Sequence, residues 1–188
     1  MKQILLAATS ILALSVLAQT QITVLEDTVT MSKGTESAFQ VIIPQTTLKD
    51  VEKDWLKYIS SESKVKATVV NGENFQPGAV NTNISANPFN VYSKLLETTG
   101  GVRLTVWITE NDTVFISKRL SSDKDLAAQK YVRDFAVQGY QNAVKKELEV
   151  EQDKQKTLEK ELEGLIKNEE KSAKKINANQ RSIQRAND

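Results

Sequence analysis

The chain changes character abruptly near residue 145, and that break constrains its fold more than any other feature. All eleven aromatic residues and all three prolines lie at or before Tyr140. Residues 146–188 hold ten basic and ten acidic residues, one glycine and no aromatic. A segment of that composition carries little to bury and little that would break a helix. The expected organisation is an α+β globular domain over 19–145 followed by a charged helical extension over 146–188.

The first 18 residues read separately. Met1-Lys2-Gln3 is a short basic start, Ile4 to Leu17 is a run of apolar and small residues, and Val16-Leu17-Ala18 places small residues before Gln19. This is the pattern of a secretory signal peptide cleaved after Ala18. As a helix the apolar run would rise roughly 21 Å, short of the ~30 Å hydrocarbon core, so a retained anchor is not expected. The expected localisation is periplasmic or secreted, without membrane insertion after cleavage. Removing Lys2 leaves 24 basic and 24 acidic residues, a net charge of zero. Such a chain has no electrostatic case for nucleic acid, whose binders neutralise phosphates with a basic surface.

Cysteine and histidine are both absent. That excludes disulfides, imidazole-ligated zinc, and Ser-His or Cys-His nucleophile chemistry. Carboxylate pairs, a Ser-Lys arrangement or an oxygen-ligand Ca²⁺ site remain open, but no segment matches a spaced-Asp Ca²⁺ loop, a P-loop or a dinucleotide fingerprint. No cofactor or metal is expected.

Within the domain, Ile22 to Met31 reads as a strand whose apolar phase shifts at Leu25, the mark of a bulge. Phe39, Val41 and Ile43 alternate in a second strand ending at Pro44. Thr47-Leu48-Lys49-Asp50 has capping-box spacing, and Leu48, Val51, Trp55 and Ile59 recur at helical spacing to about Ser60. Val65, Ala67 and Val69 alternate in a third strand ended by Asn71-Gly72, after which 71–90 reads as a long irregular loop. Two hairpins follow, built from Phe89–Glu97, Val102–Ile108 and Thr113–Ser117. Ser122 with Asp125 offers a cap for a last helix. Strands and helices without βαβ alternation favour an antiparallel sheet with helices on one face.

The turns also set a register. Closing 97 on 102 pairs Leu95 with Leu104 and Val91 with Ile108; closing 109 on 113 pairs Ile108 with Val114 and Val106 with Ile116. These apolar residues share one face, which suits Trp55 and Phe135. The other face then carries Tyr92, Trp107 and Phe115 side by side among Lys94, Arg103, Thr105 and Ser117. An exposed aromatic row of this kind can stack a sugar, a peptide or a flat ligand. Alternatively the aromatics only stabilise the sheet, or the 71–90 segment covers them.

Along the last helix, Ala128, Val132, Phe135, Gly139 and Ala143 form a face for docking on the sheet. A second face continues as a seven-residue repeat, with Val144, Leu148, Leu158, Leu162, Leu165, Ile176 and Ile183 as an association seam. Of the fourteen seam positions from 137 to 183, eight are apolar. The exceptions are Gln141, Glu151, Gln155, Glu169, Ser172 and Asn179, so the coiled-coil pattern is interrupted. Residues 147–163 carry seven acidic and three basic residues, whereas 171–185 carry five basic and none acidic. That order complements the helix dipole and equally favours antiparallel pairing.

The leader ending Leu17-Ala18-Gln19, the segment Val51-Glu52-Lys53-Asp54-Trp55-Leu56-Lys57-Tyr58-Ile59, the hairpin from Asn90 to Ile108 and the segment Leu158-Glu159-Lys160-Glu161-Leu162 resemble a family of exported Bacteroidota proteins. Its members combine a small α+β domain with a C-terminal helical or coiled-coil extension. The resemblance implies a periplasmic setting and supplies no catalytic residues. In that setting Asp27-Thr28-Val29 and Asp112-Thr113-Val114 resemble O-glycosylation sites, which implies Thr28 and Thr113 as acceptors. Asn83-Ile84-Ser85 and Asn111-Asp112-Thr113 fit the N-glycosylation acceptor, relevant only to a eukaryotic secretory route.

The functional expectation is a non-catalytic periplasmic interaction or scaffold protein, associating with itself or a protein partner through its C-terminal helix. The alternative is a ligand- or client-binding module using the Tyr92/Trp107/Phe115 face. An enzyme would have to be built on carboxylates such as Glu26, Asp27, Glu110 and Asp112.

Overall fold

The computed structural model describes residues 21–61, 63 and 65–187. The expected leader and its cleavage site lie outside them. The first strands, β1 (Leu25–Met31) and β2 (Gly34–Ile43), precede helix α1 (Leu48–Ile59). Four strands follow, β3 (Thr68–Val70), β4 (Glu73–Ala79), β5 (Phe89–Thr98) and β6 (Gly101–Thr109), before helix α2 (Ser122–Asn187). The strands form one antiparallel sheet in the order β1-β2-β6-β5-β4-β3. The architecture is α+β.

Local chemistry explains the elements. Thr47 caps α1 by accepting from the Asp50 amide at 3.2 Å, and Val51, Trp55 and Ile59 fall at a four-residue spacing on the buried side. The helix ends at Ser60, whose hydroxyl donates back to the Leu56 carbonyl at 2.7 Å. Asn71 and Gly72 both have positive φ, the conformation a tight β3–β4 hairpin turn needs. Gly101 (φ 130°) closes the β5–β6 turn where a Cβ would collide with the Ile43 carbonyl.

One face of the sheet, the front, carries Phe39, Val41 and Ile43 with Leu104, Val106, Ile108 and Val91. Val51, Trp55 and Ile59 from α1, and Ala128, Val132, Phe135 and Ala136 from the start of α2, join them in one buried cluster. The Trp55 and Phe135 rings meet edge-on at 4.8 Å, and Trp55 Nε1 donates to Ser93 Oγ at 2.7 Å. Each fully buried side chain of this size contributes about 1.5–3 kcal/mol of transfer free energy.

The β5–β6 register is the expected one, Leu95 with Leu104 and Val91 with Ile108. Four expectations need correcting. The phase change at Leu25 is not a bulge, because β1 pairs with β2 without a register shift. Ile22 and Val24 instead serve the front core while Met31, with Val29 packed beside it, serves a second core. Residues 71–90 are not one loop: β4 occupies Glu73–Ala79. Its buried positions Glu73, Asn74 and Gln76 are polar, which hid the strand. Gln76 is satisfied there by Ser60, Ser63 and the Val65 and Pro77 carbonyls. Third, 113–117 is no strand. Asn111 Oδ1 accepts from the Thr113 and Val114 amides, and this wider turn moves the pairing to Thr109 with Phe115. The two-residue shift keeps Ile116 in the front core and Phe115 on the back face, but Val114, expected on the core face, is left exposed. Fourth, the cap of α2 is Ser121, whose hydroxyl accepts from the Lys124 amide at 3.4 Å, one residue before the expected position.

Helix α2 runs unbroken to Asn187, and the chain divides into two compact units between Gln141 and Asn142. Every residue from 144 to 186 is exposed. No helix among the described residues is long and apolar enough to cross a membrane.

Candidate functional site

The aromatic row is where a ligand would be sought, and it is closed. Tyr92 pairs directly with Trp107 as expected, and both lie on the back face of the sheet with Phe115. Their exposures are 4%, 0% and 7%. They form a second core with Met31 and Ala38, against which Val29 and Phe75 pack. The stacking surface expected from the sequence is therefore not available to solvent.

The cover comes from a hairpin whose two strands the sequence predicts but whose placement over this face it does not. β2 pairs with β6 only from Phe39 to Ile43. Residues Gly34–Ala38 leave that edge, and the 115–116 segment takes their place, with the Ile116 amide on the Ile108 carbonyl at 2.8 Å. The freed end of the β1–β2 hairpin reaches across the back face to β4. There the Ser32 amide and hydroxyl donate to the two carboxylate oxygens of Glu73 at 2.9 and 2.7 Å. Glu73 is buried, with Lys94 Nζ 3.6 Å away.

Beside this contact, Lys33 Nζ lies 3.0 Å from Asp112 Oδ1 and 5.0 Å from the centre of the Tyr92 ring. Asp112 Oδ1 also accepts from Tyr92 Oη and Asn90 Nδ2, both at 3.1 Å. Hydrogen bonding to Lys33, then to Asn90 and Tyr92, holds the Asp112 carboxyl below its ordinary value. Contact with Tyr92, then with Asp112, holds Lys33 above its own. The arrangement is a latch that fastens a hairpin tip over an aromatic core.

The four carboxylates considered for catalysis each have partners of their own, Asp112 those described above. Glu26 accepts from Ser37 Oγ at 2.6 Å and from the Lys118 amide at 3.1 Å. Asp27 accepts from the next amide, that of Thr28, at 2.7 Å. Glu110 holds Lys124 Nζ with both oxygens at 2.7 Å, and Lys124, then Ser85, lower its pKa. A general acid needs the opposite shift. The Asp125 carboxyl is pushed up, through burial first and then the charge of Glu26. Its Oδ2 accepts from Gln129 at 2.9 Å and its Oδ1 has no partner. No group of three or more carboxylates that could hold a metal occurs among the described residues.

Thr28 and Thr113 are both exposed and line one polar concavity of about 570 Å³ with Glu26, Ser37 and Arg119. On the uncovered half of the back face, Leu25, Ile42, Pro44 and Arg103 line an open cleft of about 440 Å³. The seam residues are a surface of another kind. Val144, Leu148, Leu158, Leu162, Leu165, Ile176 and Ile183 all lie on α2, with exposures from 39% at Val144 to 66% at Leu165. Val150 and Ile166, outside the repeat, are exposed as well. Comparison with known protein families, curated proteins and solved structures finds no match to this chain.

Proposed function

We propose that this chain is a non-catalytic periplasmic interaction or scaffold protein that associates through its C-terminal helix. The observation that carries the reading is the exposure of all seven seam residues on one unbroken helix, beyond the residues that dock on the sheet. A single helix of this length gains little from its surface ion pairs, about 0.2–0.5 kcal/mol each, as between Lys154 and Glu151 or Lys156 and Asp153. Burying an apolar seam against another helix supplies what those pairs do not. The leader-like residues 1–18 support the periplasmic part of the proposal.

Leu158→Asp combined with Leu162→Asp tests it. Two charges in the seam remove apolar burial, so the variant should sediment at lower mass and show less helicity than the parent chain. Unchanged mass and helicity would sink the reading.

A further inference from the structure

We infer that the occupant of the seam is a second copy of this chain, lying antiparallel with the two-fold axis between Glu170 and Lys171. The inference rests on the proposed association reading and adds the partner, its direction and its register.

Direction follows from charge and from the polar seam positions. A parallel in-register pair would place each seam residue on its own copy, setting Glu151 on the partner's Glu151 and Glu169 on the partner's Glu169. Two buried like-charge contacts are costly in a low-dielectric seam. A parallel pair would also lay basic 171–186 on basic 171–186, a stretch with five basic and no acidic residues. Reversed, that stretch lies along 155–170, which holds five acidic and three basic residues. The signs then oppose.

Register follows from the seam itself. With the axis between 170 and 171, Leu158 meets the partner's Ile183 and Leu165 meets the partner's Ile176. Leu162 meets the partner's Asn179, and Glu169 meets the partner's Ser172. Both isoleucines of the basic half thus find a leucine of the acidic half, and no seam glutamate faces an apolar side chain. Shifting by one heptad toward the N-terminus sets Leu165 against the partner's Glu169 and Glu151 against the partner's Ile183. Shifting the other way sets Ile176 against the partner's Ser172 and Glu169 against the partner's Asn179. A polar layer such as Glu169 with the partner's Ser172 specifies alignment at some cost in stability.

The absence of native cysteine makes the arrangement directly readable. Two full-length variants are made, Leu158→Cys and Ile183→Cys, and oxidised separately and as a mixture. Both positions are solvent-exposed in the single chain, so far-UV circular dichroism should match the parent. Within one helix they are about 38 Å apart. The expected result is a disulfide-linked pair in the mixture and essentially none in either variant alone. Linkage within either variant alone would establish parallel pairing and overturn the inference while leaving association intact. A two-chain mass in sedimentation with no linkage in the mixture would overturn the register. A one-chain mass throughout would exclude the second copy, and the seam could then serve only a different protein.

Discussion

Replacing Trp107 discriminates between a closed second core and an open aromatic face. The side chain has no exposure, and truncation of a buried tryptophan to alanine costs about 3–5 kcal/mol. Against a total of about 5–15 kcal/mol for a domain, that loss is large, and it should lower the melting temperature by about 10 °C or more. The Trp107 indole N–H has no acceptor, whereas Trp55 Nε1 donates to the buried Ser93 hydroxyl at 2.7 Å. Trp107→Phe keeps an aromatic ring and removes an unsatisfied donor, which offsets about 1–3 kcal/mol of the lost packing. Trp55→Phe loses comparable packing and strands the Ser93 hydroxyl, adding a penalty of about 1–3 kcal/mol. Denaturant unfolding followed by circular dichroism should therefore rank Trp55→Phe as the more destabilised by about 2 kcal/mol or more. In the Trp55→Phe background, Trp107 emission should resist a soluble quencher until the domain unfolds. A Trp107→Ala variant as stable as the parent, or a readily quenched Trp107 in the folded protein, would refute the closed core.

Three further outcomes follow from the same contacts. Glu73→Gln loses the charge-assisted bonds from Ser32, each worth about 1.5–3 kcal/mol, and should speed amide exchange at the β1–β2 tip before it affects α1. Uniform protection would show that the tip is held by other groups. Asp112 titrates below its ordinary 3.8 in the folded state, so its contribution is present above about pH 4 and is lost as pH falls through the lowered value. The stability gap between the parent and Asp112→Asn should accordingly narrow on acidification, and a gap independent of pH would contradict the Lys33–Asp112 contact. Finally, a chain ending at residue 145 retains all the buried residues of both cores and should melt cooperatively; a molten product would show that the extension completes the fold.

The parts that could be read in advance are those where local pattern and tertiary packing agree. The β5–β6 register was legible because Thr98 and Gly101 close a tight turn between two alternating strands. Helix α1 was legible from Thr47 and the four-residue spacing of Val51, Trp55 and Ile59. Strand β4 was not, because its buried positions Glu73, Asn74 and Gln76 are polar, and Glu73 and Gln76 find partners such as Ser32 and Ser60 on other segments. The grouping of Tyr92 with Trp107 was visible from register, but its cover was not. Ser32 and Glu73 are forty-one residues apart, and nothing in their local sequence marks a contact. The Asn71-Gly72 turn placing a carboxylate immediately after it was the nearest available signal. The seven-residue spacing of Val144, Leu148, Leu158, Leu162, Leu165, Ile176 and Ile183 belongs to the sequence alone, and the structure adds that all seven lie exposed on one helix.

Hydrogen exchange along residues 144–186 tests the association of the C-terminal helix most directly, since it reads each part of the seam in the intact chain. An exposed single helix opens locally at little cost, whereas a paired one opens only with dissociation or unfolding. The amides of 158–183 should exchange slowly at high protein concentration and faster on dilution, while those of the sheet stay unchanged. Fast exchange throughout 144–186, at the same rate at every concentration, would contradict self-association through the seam.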